Sequence, residues 1–485
     1  MQLSKQELLV SQCFINGQWQ GAADGRTLPV HNPATGELLG AAPSLSRGET
    51  AAAVAAAREA WPAWREMPAV KRGEIMRRWQ QLIRDNLEDL ARILTSEQGK
   101  PLAEAKGELG VGSDYVAWYA EEGRRAYGEV IPSPMGDRRL LTIRQPVGVV
   151  ACITPWNFPS SMILRKVAPA LAAGCTVVCK PASLTPFSAL ALGVLAKEAG
   201  FPEGVFNVVT GRPAEVGAEL AENPAVRKLS FTGSTAVGKA LMAQCAGTVK
   251  KISMELGGNA PFIVFADADL EAAVNGALGC KFRNSGQTCI CTNRFLVEDA
   301  IYDDFVKRLV EKVQGLKVGN GLEAGVTQGP LIDQPSLEKV ESLVAASLAL
   351  GARPAAGGAR HALGGLYFQP TVLTEARPEM PVCREEIFGP VAPVLRFKSE
   401  AEAIALANDT EYGLASYMYT RDIGRFWRVA EALEYGMVGV NEVLLAMAET
   451  PFGGIKESGL GREGGRQGLD EYLETKYIVS GGLRG

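Results

Sequence analysis

The amino-acid sequence predicts an α/β protein with two sheet-and-helix domains in series and a β-hairpin arm. Three observations carry the prediction. The chain has 485 residues, too many for one ordinary core at roughly 150 residues per domain. From Gly148 onward, short β-branched runs alternate with Ala- and Leu-rich helical stretches, the pattern of parallel βαβ units. Just before that point, two short runs flank a turn-rich segment at 132–137, as in a hairpin.

Ser46 and Glu49 have the spacing of a capping box, and an Ala-rich helix through Trp61 follows. Ile75, Trp79, Leu82 and Ile83 repeat on one face of a second helix. Gly99, Lys100 and Pro101 close it before a third helix that carries Tyr115, Trp118 and Tyr119. The hairpin runs are 127–131 and 139–144. Segments 149–153, 176–179, 205–209 and 228–231 read as strands of the first domain. Segments 261–265 and 294–297, with a helix from Asp269 between them, open the second.

Composition excludes several classes. The chain is 47% hydrophobic and 21% charged, as a globular protein is. A net charge of −4 with the signs mixed leaves no footprint for nucleic acid. The most apolar stretch, 147–178, is interrupted by Pro155, Pro159, Arg165, Lys166 and Pro169, so it lacks a span of about 20 apolar residues and no membrane partner is expected. Residues 1–10 include Lys5 and Glu7 and lack the pattern of a secretory signal. Nine cysteines, most of them in apolar runs, disfavour a disulfide framework. No second pair completes a metal-like spacing with Cys175 and Cys179, so no metal is expected, and a reducing, cytoplasmic setting fits.

Three local patterns carry chemistry. From Phe231 to Gly238 a β-run meets a helix through a turn holding Gly233 and Ser234. Such a turn lets backbone N–H groups and the helix dipole face a phosphate. It is not a G-x-G-x-x-G fingerprint, and a turn that merely needs small residues looks the same. Cys289 follows a polar, Gly-containing approach from Arg283 to Thr288, unlike the apolar flanks of other cysteines, and a nucleophilic thiol needs such access. The competing reading is one more buried cysteine. The two histidines, His31 and His361, lie in polar or turn-rich surroundings, which leaves a Cys/His hydrolase poorly supported. Glu255 ends a β-run against Gly257 and Gly258, where desolvation would push a carboxylate toward the neutrality a general base needs. A surface glutamate at a turn has the same sequence.

Together these strings resemble the aldehyde dehydrogenase superfamily over nearly the whole chain. The residues that carry the resemblance are Thr154-Pro155-Trp156-Asn157-Phe158-Pro159, Val178-Cys179-Lys180-Pro181, Phe231-Thr232-Gly233-Ser234 and Met254-Glu255-Leu256-Gly257-Gly258. Gly286-Gln287-Thr288-Cys289, Glu385-Glu386-Ile387-Phe388-Gly389-Pro390-Val391 and Pro451-Phe452-Gly453-Gly454 complete the set in family order. The resemblance implies a doubly wound Rossmann-type cofactor domain (1–123 and 145–255), an α/β catalytic domain (256–460) and a β-hairpin oligomerisation arm (124–144 and 461–485). An arm of this kind exposes edge strands that another subunit covers, so a homodimer or homotetramer is expected.

The resemblance also implies roles. Cys289 attacks the aldehyde, the Asn157 amide and the Cys289 backbone N–H hold the oxyanion, and Glu255 activates the water that hydrolyses the thioester. Thr154, Trp156, Lys180, Ser183, Gly233, Ser234, Gly238, Leu256, Glu386 and Phe388 hold NADP or NAD. Within the superfamily the chain is most similar to succinate-semialdehyde dehydrogenases, whose substrate carboxylate is gripped by two arginines that match Arg165 and Arg283. A subfamily serine before Pro-Phe-Gly-Gly is Ala446 here, which leaves room for a longer or bulkier acid-aldehyde. Cys291 matches a redox partner of the nucleophile in similar pairs. Many NAD-preferring relatives carry a glutamate where this chain has Ser183, and its loss favours NADP. The alternatives are an aromatic or uncharged aliphatic aldehyde, or an acyl-CoA-forming enzyme, which should lack the Glu255 carboxylate.

Overall fold

Alternate residues of the strand Val149–Ile153 enter different cores. Val150 and Cys152 pack with one set of helices, while Val149, Ala151 and Ile153 pack with another. A strand apolar on both sides belongs in the middle of a sheet covered on both faces, which is the parallel α/β arrangement. The computed structural model, which describes residues 1–482, has this architecture twice.

The first sheet runs, in spatial order, Gly459–Leu460, Lys251–Glu255, Val226–Thr232, Val149–Ile153, Thr176–Lys180, Phe206–Val208, Cys13–Ile15, Gln18–Gln20. Its five central strands are parallel, and its outer strands antiparallel. The second sheet is built from Arg353–Ala356, Thr371–Thr374, Val391–Phe397, Thr292–Glu298, Ala260–Val264, Ala415–Tyr419 and Met437–Val440. It too is buried on both faces: Ile263 and Leu296 enter one core, and Phe262, Val264, Phe295 and Val297 the other. A smaller sheet joins Glu129–Ile131, Arg139–Pro146 and Leu473–Ser480. This is the expected hairpin with the C-terminal strand alongside; residues 483–485, the end of the segment assigned to the arm, lie outside the described residues.

The capping box forms: Ser46 Oγ accepts from Glu49 N at 3.3 Å, and Ser46 N donates to Glu49 Oε2 at 2.7 Å, opening the helix Arg47–Glu66. The single helix expected up to Gly99 is instead two, Ala69–Asp85 and Leu87–Gln98. Asn86 divides them, its Nδ2 donating to Leu82 O at 2.8 Å and competing with the helical ladder. The strands at Cys13–Ile15 and Gln18–Gln20, which no alternation announced, complete the far edge of the first sheet.

Four parallel strands of the first sheet end side by side at Ile153, Lys180, Thr232 and Glu255. The residues just beyond them carry most of the chemistry read from the sequence, in the crevice where open α/β sheets bind ligands. Gly459 closes that edge, opposite Glu255 in the register. Its φ is +139°, and a Cβ there would stand 1.9 Å from Met254 O, so only glycine lets the returning chain lie against the strand that carries Glu255.

Candidate active site

A cleft of about 1010 Å³ opens over these strand ends. Thr154, Trp156, Asn157, Lys180, Ser183, Gly233, Ser234, Leu256, Glu386, Phe388 and Cys289 all line it. Along its floor, Ser234 caps the eleven-residue helix Thr235–Cys245, with Oγ accepting from Val237 N at 3.5 Å. Gly233 N donates to Glu255 O at 3.0 Å, tying the turn to the neighbouring strand. This places a helix N-terminus, with its unpaired N–H groups, at the cleft. Gly238 does not line the cleft, contrary to the expectation that it touches a cofactor. A Cβ there would meet Leu256 Cδ2 at 2.4 Å, so its glycine serves close packing of the helix on Leu256.

The cleft lining carries charges of both signs. Burial lowers the Lys180 ammonium to about 8, and its Nζ donates to Pro181 O at 3.3 Å. Ser183 Oγ donates to Gly211 O at 3.3 Å. Burial pushes Glu386 up to about 6, against the Gly258 N–H that donates to its Oε1 at 3.1 Å and the charges of Lys339 and Lys281. Glu386 is the one carboxylate lining the cleft among the described residues. Phe388, at φ +54°, stands edge-on to Trp156 with ring centroids 5.5 Å apart. A cleft of this volume, lined by a capped helix N-terminus, a lysine and a carboxylate, fits a dinucleotide in size and donor chemistry.

Cys289 is the single cysteine among the nine that is not buried. Crowding by protein pushes its thiol up to about 12, and Arg165 is the main charge acting against the rise. A Cβ at Gly258 would come within 2.4 Å of the Cys289 carbonyl oxygen, so the loop that carries Cys289 can pack there only on glycine. Asn157 Nδ2 donates to Gln287 O at 3.0 Å, which leaves its second amide N–H free, and the residue lines the same cleft as Cys289. The loop itself is held in an unusual shape, with Asn284 and Ser285 at φ +51° and +56°.

Glu255 is buried, and neither of its carboxylate oxygens has a hydrogen-bond partner. Burial and the adjacent Glu463 hold it well above the usual carboxylate range; Arg165, Lys166 and Arg462 pull the other way. The reading as a surface glutamate is therefore wrong. Glu463, which the sequence did not single out, is buried as well. Burial alone would raise it, but ion pairs to Lys166 and to Arg165, the latter at 2.5 Å, hold it below the usual range.

The two arginines assigned to one substrate carboxylate are not equivalent. Arg165 lines neither the cleft nor a second, smaller cavity: it is buried, its Nε faces Glu463, and its guanidinium lies 4.1 Å over the Phe452 ring. Arg283 has no ion-pair partner among the described residues and lines that second cavity, of about 390 Å³, with Phe282, Ile290, Val443 and Leu444. Ala446 packs half-buried at the edge of the same core. Cys291 is a buried free thiol that donates to Gly286 O at 3.2 Å and lies 3.8 Å from Lys281 Nζ.

The family model described as the aldehyde dehydrogenase family matches residues 19–478. The chain is 58% identical over 483 residues to a 3-sulfolactaldehyde dehydrogenase of Pseudomonas putida, covering 100% of this chain and 99% of that one. It is 56% identical to the NADP(+) succinate-semialdehyde dehydrogenase GabD of Escherichia coli (strain K12), covering 99% and 100%. The solved structure of succinate-semialdehyde dehydrogenase from Burkholderia pseudomallei superposes with a TM-score of 0.98 at 56% identity, over 99% of this chain and 100% of that one.

The buried carboxylate yields a test of this electrostatic picture. Because the folded-state value of Glu255 is raised above its ordinary 4.5, its contribution is most favourable below that pH and is lost as pH rises toward the raised value. Glu255→Gln should therefore raise Tm relative to wild type by roughly 1–3 °C at pH 8.5, with a smaller gain at pH 5.5. Thermal denaturation at both pH values decides the matter: a gap independent of pH would mean that Glu255 is not held above its ordinary range.

Proposed function

The chain belongs to the aldehyde dehydrogenase family, and we propose that it oxidises small aldehydes with an anionic far end, carboxylate semialdehydes foremost, using NADP or NAD. The observation that carries this reading is Cys289 in the wall of a dinucleotide-sized cleft and within the field of the buried Glu255, while the next residue, Ile290, lines the cavity that holds Arg283.

The chemistry follows from the residues. Cys289 sulfur, once deprotonated, bonds to the aldehyde carbon, and the carbonyl electron pair moves to oxygen. The free Asn157 amide N–H and the Cys289 backbone N–H donate to that oxyanion, which is worth about 3 kcal/mol per donor in comparable sites. Lys180, Ser183, the Gly233–Ser234 turn and Glu386 would hold the nicotinamide cofactor, which would supply the acceptor for the hydride leaving the thiohemiacetal carbon. Glu255 then takes a proton from water. The water oxygen adds to the thioester carbonyl, the C–S bond breaks, and the acid leaves with Cys289 regenerated. A carboxylate raised by burial is a stronger base than one in water, and this explains why Glu255 stands without hydrogen-bond donors.

Substrate choice rests on Arg283. Its guanidinium is free to bind a planar anion, whereas Arg165 already carries Glu463 and contributes chiefly positive field at Cys289. Relatives named for a carboxylate and for a sulfonate aldehyde support an anion-binding tail site. Ala446 in place of a serine removes one hydroxyl from its rim and leaves room for a longer tail. We assign the exposed apolar arm, with Val130 82% and Tyr477 57% exposed, to burial against a second copy of the chain. Nine free cysteines fit a cytoplasmic setting, and no helix among the described residues is long and apolar enough to cross a membrane.

An aldehyde panel with both cofactors tests the assignment directly. Arg283→Ala should cost about 2–4 kcal/mol in kcat/KM for succinate semialdehyde and far less for an uncharged aldehyde of similar length; equal losses would remove the anion grip. Among the described residues Glu386 is the one carboxylate lining the cleft, and with a serine at 183 NADP is expected to be used at least as well as NAD. Ser183→Glu should depress kcat/KM for NADP while sparing NAD, and a wild-type preference for NAD beyond about tenfold, or 1.4 kcal/mol, contradicts the assignment. Light scattering should find at least a dimer, and a mass near the 51.6 kDa of one chain would refute the arm's role.

A further inference from the structure

We propose that Lys100, with Glu108 and Gln98, is a positioning device for the oxyanion site: a buried polar clamp that fixes Asn157 against the loop of Cys289. The inference rests on the reading of Asn157 as the oxyanion donor. Lys100 is buried on the link between the helices Leu87–Gln98 and Leu102–Glu122, away from the cleft lining. Its ammonium has a partner on each side. Nζ lies 2.6 Å from Glu108 Oε2, donates to the Asn157 carbonyl at 2.7 Å, and sits 3.9 Å from the centre of the Phe158 ring. Glu108 uses its other oxygen on the same loop, accepting from Ser160 N at 2.9 Å and Ser161 N at 3.1 Å.

The contacts close into a ring. Lys100 N donates to Gln98 Oε1 at 2.9 Å, and Gln98 Nε2 donates to Asn284 Oδ1 at 3.0 Å. Asn284 Nδ2 returns to the Asn157 carbonyl at 2.9 Å and also reaches Gln287 O at 3.3 Å. The Asn157 amide meets that same Gln287 oxygen. Thus one cluster holds the loop after the strand Val149–Ile153 and the left-handed turn at Asn284 and Ser285 that leads to Cys289. A buried ion pair gains little stability over an apolar pair of equal volume. What it supplies here is direction: the second Asn157 N–H can aim at the developing oxyanion only if its main chain and the Gln287 carbonyl stay fixed relative to each other.

The test is a double-mutant cycle with the full-length enzyme. Lys100→Met/Glu108→Gln removes both charges together, so neither is left buried alone. Gln98→Leu breaks the ring without touching a charge and serves if the first variant fails to fold. The readouts are the single-turnover rate of cofactor reduction with succinate semialdehyde and the Kd for NADP by fluorescence. The clamp variants should slow reduction by about ten- to a hundredfold while Kd changes less than about twofold. In an Asn157→Ala background the same substitutions should slow it by less than about twofold more. A loss of equal size in that background overturns the clamp, because Lys100 would then act elsewhere. A loss that appears mainly in Kd overturns it too, since that marks a general structural role. If Asn157→Ala alone keeps the wild-type rate, the oxyanion reading itself fails and the clamp with it.

Discussion

Four ionisable side chains share one dry volume behind Cys289, and the rest of the site is arranged around their mutual neutralisation. Glu463 faces Arg165 and Lys166, and Glu255 stands beside them without a hydrogen bond of its own. Taking such charges out of water costs several kcal/mol each, at the order-of-magnitude level, unless opposite charges stand close. Two cations meet one ionised carboxylate, and the second carboxylate is left as the group that can give up or take a proton. Burial, helped by the Glu463 charge, holds Glu255 high against the pull of Arg165 and Lys166, and Arg165 tempers the rise of the Cys289 thiol.

The backbone is adapted to the same volume. Gly453 lies so near Glu255 that a Cβ would stand 2.9 Å from its Oε1, and Gly258 accommodates the Cys289 carbonyl. These are close approaches between segments far apart in sequence. The second joins the end of the first sheet to the loop that follows the helix Leu270–Phe282, and the first joins it to the segment around Gly453. The site is thus a property of the contact between two sheets, each of which would be an ordinary α/β layer without the other.

Much of this was legible in the sequence, for identifiable reasons. The strands at Val149–Ile153 and Thr176–Lys180 announced themselves because burial on both faces favours near-continuous apolar, β-branched runs. Cys289 stood out by its polar approach and Glu255 by its glycine neighbours. The break at Asn86 was hidden because an asparagine inside an amphipathic pattern announces no turn until its side chain is seen to take the Leu82 carbonyl. Glu463 and Lys100 were invisible for a different reason. The contacts that give them a place at the site lie 297 and 57 residues away, at Lys166 and Asn157, and local patterning carries no trace of such pairings. Arg165 was found but given too simple a task, since its ion pair with Glu463 is equally remote.

The central claim is that Cys289 carries the acyl group and that Glu255 is needed only to release it. Glu255→Gln enzyme mixed with succinate semialdehyde and NADP, quenched in acid and digested, offers the most direct measurement, by mass spectrometry of the peptide containing Cys289. The account predicts about one equivalent of reduced cofactor formed rapidly, together with a succinyl mass increase on Cys289. Absence of both the burst and the adduct, or an adduct carried by Cys291, would contradict it.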